Sequence, residues 1–92
     1  MSTMERGMLA AIGRFPHLGD EIRRRAFADP VFRALCDDLA EAQAAVERWR
    51  MQASGQARAR SAEYEQLAAE LAEEISAAIL SPAASDMSHR SA

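Results

Sequence analysis

No lysine occurs in this chain: all eleven of its Lys/Arg positions are arginine. Against fourteen aspartates and glutamates they leave a net charge of −3. A mildly acidic chain lacks the basic face that phosphate contacts need, so nucleic acid is not the default partner. One cysteine, Cys36, excludes an intramolecular disulfide and a zinc site built from several thiolates, and it suits a reducing compartment. The two histidines, His17 and His89, stand at opposite ends of the sequence and make no ligand pair by spacing. The longest uninterrupted apolar run, Met8 to Ile12, is far too short for a membrane span and short even for a signal-peptide core. Thr3, Val31 and Val46 never alternate with polar residues in a strand-like pattern. A Gly-rich phosphate loop, a Ser-His-Asp set and a His-Glu-x-x-His pattern are all missing. The expectation is a cytoplasmic protein that is not an enzyme, with no cofactor, metal, membrane partner or small-molecule substrate.

What is present is helix-forming. The chain is 49% hydrophobic, much of it alanine, which favours helices and buries little surface. In residues 1–14, Met4, Met8, Ala11 and Ile12 fall at helical spacing, but Gly7 and Gly13 weaken the pattern, which predicts an N-terminal extension that is helical or frayed. Pro16 suits a first helical turn, and Leu18, Ile22 and Ala26 or Phe27 share a face, predicting a short helix over 17–28. Asp29-Pro30 then reads as a junction. Aspartate caps a helix, proline is favoured just after the cap, and the proline pushes Asp29 out of the α region.

The next helix, expected over 30–53, carries Phe32, Leu35, Leu39, Ala42, Val46, Trp49 and Ala53 at alternating spacings of three and four, the a/d repeat of a helix packed along its length. The Ser54-Gly55 pair predicts a turn over 54–56. A second long helix is expected over 57–80, with Tyr64, Leu67, Leu71, Ile75, Ala78 and Ile79 on one stripe, flanked by Ala68 and Ala72. Ser81-Pro82 stops it, and residues 81–92, lacking periodicity, read as a disordered tail. The fold class is therefore all-α: an antiparallel, coiled-coil-like two-helix hairpin within residues 15–80, preceded by the short helix.

A lone hairpin exposes half of its apolar stripe and is marginal. The pattern thus predicts self-association as a dimer or higher oligomer, most simply a four-helix bundle, or docking on a helical partner. The function this implies is a non-catalytic interaction or oligomerisation module acting through the seam. Trp49 and Tyr64, flanking the turn, are expected to pack near each other, and Cys36 to be a half-buried small hydrophobe beside Leu35 and Leu39. Asp37, Asp38 and Glu41 cluster, but acid–base work needs a cleft that shifts their pKa values, and a solvated face is the simpler reading. The alternative function rests on Arg23, Arg24 and Arg25. Glu21 is spaced to pair with Arg25, leaving Arg23 and Arg24 for a phosphate or acidic partner in a nucleic-acid-associated or regulatory factor.

The stretch FPHLGDEIRRRAFADPVFRALCDDLAEAQAAVER resembles the start of the YdcH-like family of small bacterial proteins. The residues carrying the resemblance are Phe15-Pro16, Ile22, Asp29-Pro30, Phe32, Leu35, Asp37, Val46 and Arg48, with the family's spacing and no gap. The resemblance extends over about residues 15–80, generically in the second helix. It implies a helical hairpin and carries no reaction with it.

Overall fold

The structure, a computed structural model, describes the backbone of residues 3–80 and the side chains of residues 6–80. The tail expected over 81–92 lies outside the described residues. Helix α1 spans Thr3–Arg14, a 3-10 turn covers Pro16–Leu18, α2 spans Gly19–Ala28, α3 Pro30–Arg50 and α4 Gly55–Leu80. The described residues are all helical and connecting, with no strand.

The two junctions follow from local chemistry. Asp29 is extended, at φ −128° and ψ 104°, and Oδ1 accepts from the N–H groups of Val31 at 3.0 Å and Phe32 at 3.3 Å. Those donors have no partner within a first helical turn, so the cap is worth about 1 kcal/mol. Arg33 Nη1 donates to the Ala26 carbonyl at 2.8 Å and ties the end of α2 to the start of α3. At the other junction Ser54 is the cap: its Oγ accepts from the Ala57 N–H at 3.0 Å and its carbonyl from the Arg58 N–H at 3.1 Å. Helix α3 stops at Arg50 rather than at 53. The connection is 51–54 rather than 54–56, and α4 starts at Gly55. Ala53, counted in the seam by spacing, is exposed in this connection.

Within the N-terminal extension, Thr3–Arg14 is helical. Ala11 is completely buried, and α1 lies along α3. Gly7, read from sequence as a weak point, is what permits this. A Cβ added there would sit 2.8 Å from the Asp37 backbone nitrogen and 2.9 Å from the Cys36 carbonyl carbon, and closer still to Asp37 Oδ1. Real Cβ atoms do not approach that near, so any side chain would push the helices apart. Gly7 meets Cys36 and Asp37, and Arg14 Nε donates to Gln43 Oε1 at 3.2 Å, so α1 and α3 run in the same direction. Helix α2 is the return segment between them, and it buries Ile22 and Ala26.

Helix α3 is the central element. Its packing against α4 is the most extensive in the molecule, followed by its packing against α1. Phe32, Cys36 and Leu39 are at most 2% exposed. On α4 the buried positions are Ala57, Ser61, Ala68, Ala72, Ile75 and Ile79, with Leu71 at their margin. That stripe is rotated towards the alanines relative to the one marked by Tyr64, Leu67 and Leu71. Small side chains let two helical backbones approach closely, and dense packing then rewards the approach. Leu67 is left at the edge, 42% exposed.

Candidate functional site

The expected seam is split by this rotation. Phe32, Leu39, Val46, Leu71, Ile75 and Ile79 are interior, Leu35, Trp49 and Tyr64 are half-buried, and Leu67 is exposed. Trp49 and Tyr64 line separate hollows. Trp49 lies with Ala57, Arg58 and Ser61 beside the α3–α4 connection, and Tyr64 lies with Arg48 on another side.

That other side is a shallow groove of about 290 Å³ between α3 and α4. Asp38, Glu41, Ala42, Ala45 and Arg48 form one wall, and Tyr64, Leu67 and Leu71 the other. Its floor is apolar, because alanines at 42 and 45 leave room that larger residues would fill. Its ends differ in charge: Asp38 and Glu41 at one, Arg48 at the other. None of these three makes an ion pair within the described residues, whereas Arg50 on a neighbouring face of α3 pairs with Glu65 at 2.5 Å. A second groove, walled by Val46, Glu47, Glu65 and Ala68, is flanked by Arg14 of α1, which bonds Gln43.

The arginine run is differently engaged than its spacing suggests. Glu21 pairs with Arg24 rather than Arg25, and Arg23 Nη1 lies 3.7 Å from Asp20 Oδ1. These exposed i, i+3 pairs contribute little stability, but they offset the positive charge that an anionic partner would read. Arg25 is half-buried. The hollow beside them, lined by Ile12, His17, Asp20, Arg23 and Ile79, contains charges of both signs.

Cys36 is completely buried rather than half-buried. It sits on the part of α3 that α1 covers, a contact invisible without knowing that α1 docks there. Loss of water around the sulfur, with a smaller contribution from the neighbouring Asp37 carboxylate, pushes its pKa from 9.0 to about 11. Such a thiol is held protonated and is a poor nucleophile at neutral pH. Asp37 Oδ1 is buried beside it with no hydrogen-bond partner among the described residues. No group of three or more His, Cys, Asp and Glu side chains among the described residues could hold a metal ion.

Sequence periodicity marks Tyr64, Leu67 and Leu71 and, on the opposite wall, Ala42, whereas Asp38 and Glu41 read from sequence as a solvated face. The available signal was the pair of alanines at 42 and 45 between charges of opposite sign. Among the described residues no helix is long and apolar enough to cross a membrane. No family model, curated protein or solved structure matches the chain.

Proposed function

We propose that this protein is a non-catalytic, helical protein-interaction module of the cytosol, related to the YdcH-like proteins. In this reading α3 and α4 are an antiparallel, coiled-coil-like hairpin, braced on one side by α1 and α2. It engages another helical surface, on a second copy or on a helical partner, through the open α3–α4 groove. The observation carrying this reading is Leu67: a large apolar side chain 42% exposed over an alanine floor, between unpaired charges of opposite sign. Apolar centres ringed by charge are the usual anatomy of a protein-binding patch. Brace and groove lie on different sides of α3, so a partner could bind without undocking α1. The nucleic-acid alternative loses support because Arg23 and Arg24 are engaged by Asp20 and Glu21.

A photo-cross-linking amino acid at position 67, activated in cells, tests the reading. A covalent adduct with another polypeptide, either a copy of this chain or a different protein, is the expected result. The same probe at exposed Met51, away from the groove, should give much less. Absence of any adduct through position 67, with the chain folded, would overturn the proposal.

A further inference from the structure

The geometry points to a second copy of this chain as the occupant of the groove, in an isologous two-fold dimer that sets Arg48 of each copy against Glu41 and Asp38 of the other; this rests on the interaction reading above. The groove has three zones along its length. Asp38 and Glu41 make an acidic end, Leu67, 42% exposed over the buried Ala42, Ala45 and Leu71, an apolar middle, and Arg48 a basic end. By helical spacing α4 adds Glu74, three residues after Leu71, to the acidic end. Arg60, four before Tyr64, is paired with Glu63 at 3.4 Å and adds no free charge to the basic end.

A surface negative at one end, positive at the other and apolar between is complementary to itself after a half turn. That is the requirement of a two-fold interface, in which one patch must serve both partners. The axis passes near Ala45 and Leu67. Two Leu67 side chains then meet over an alanine floor, and each Arg48 reaches the opposite acidic end. Asp38, Glu41 and Arg48 make no ion pair within the chain among the described residues, so these charges are available without breaking an internal contact. A different partner would need the matching, reversed order of charge, which a second copy carries by construction.

Sedimentation equilibrium of the full chain, over a range of concentrations at low ionic strength, tests this with charge swaps. The wild-type chain should dimerise reversibly. Arg48→Glu and Glu41→Arg should each weaken the dimer on the order of tenfold, by placing like charges opposite one another. The double variant restores opposite signs at both ends and should return close to the wild-type constant. Leu67→Arg should weaken it on the order of a hundredfold, because the residue occurs twice at the centre. Circular dichroism melts check that each variant remains folded. A chain that is monomeric at every concentration overturns the dimer. So does a dimer indifferent to both swaps, or one that the double variant fails to rescue. If position 67 cross-links only to a different protein while the purified chain stays monomeric, the second copy is excluded and the broader interaction reading survives.

Discussion

Helix α3 presents a face of small residues on two sides, with different outcomes. Towards α1, Cys36 and Asp37 receive Gly7, and the backbones come so close that not even a methyl group fits at position 7. On the groove side, Ala42 and Ala45 are equally small, but Leu67 overhangs the gap without filling it. Small residues thus permit close approach without ensuring it. What differs is the partner: the chain carries its own helix for the first face, delivered by the reversal through Pro16–Leu18 and α2. For the second face none of the described helices is left.

The strongest way to break the contrast is Gly7→Leu. The new side chain would have to displace the α3 backbone or lift α1 from it. Loss of about 3 kcal/mol is expected in denaturant unfolding, at the upper end of overpacking costs. Stability equal to wild type would mean that α1 is not held in this close contact.

Next in size is the pH dependence of Cys36, which reports whether α1 is seated. The folded chain keeps the thiol proton to higher pH than the unfolded chain does. This contribution to stability is therefore intact below pH 9.0 and is lost as pH rises through about 11. The expected loss over that window is on the order of 2 kcal/mol. It should be missing from Cys36→Ala, and the difference in slope between the two isolates the thiol's contribution. Gly7→Leu should also expose the thiol to neutral alkylating reagents that leave the wild-type protein unmodified.

The smallest effect sharpens the comparison by contrast within one helix. Gly13 has nothing within 4 Å of its would-be Cβ. Gly13→Ala should therefore stabilise the chain by about 0.5–1 kcal/mol through helix propensity alone, seen as a higher unfolding midpoint. Destabilisation would show that position 13 approaches a neighbour as position 7 does.

Local chemistry was legible in the residues themselves. The extended Asp29 before Pro30, the apolar repeat from Phe32 to Val46 and the breaker before α4 each act within a few positions, and a one-dimensional pattern records them. The α4 stripe was legible only approximately. Periodicity weights large residues, so it favoured Leu67, whereas tight packing favoured the line of Ala57, Ser61, Ala68 and Ala72. Gly7 was misjudged for a related reason. Propensity charges a glycine with its backbone entropy, and nothing in the sequence near Gly7 announces that Cys36 and Asp37 will lie against it.

By itself, then, the sequence determined that the chain is helical and where its helices break, at Asp29 and near Ser54. Those properties depend on propensity, capping and composition, which are local. Only the tertiary structure decided that α1 is a structural partner of α3, that Cys36 is sealed beneath it, and that the face bearing Asp38, Glu41 and Arg48 stays exposed. These depend on how closely two backbones can approach, a property of pairs of residues distant in sequence.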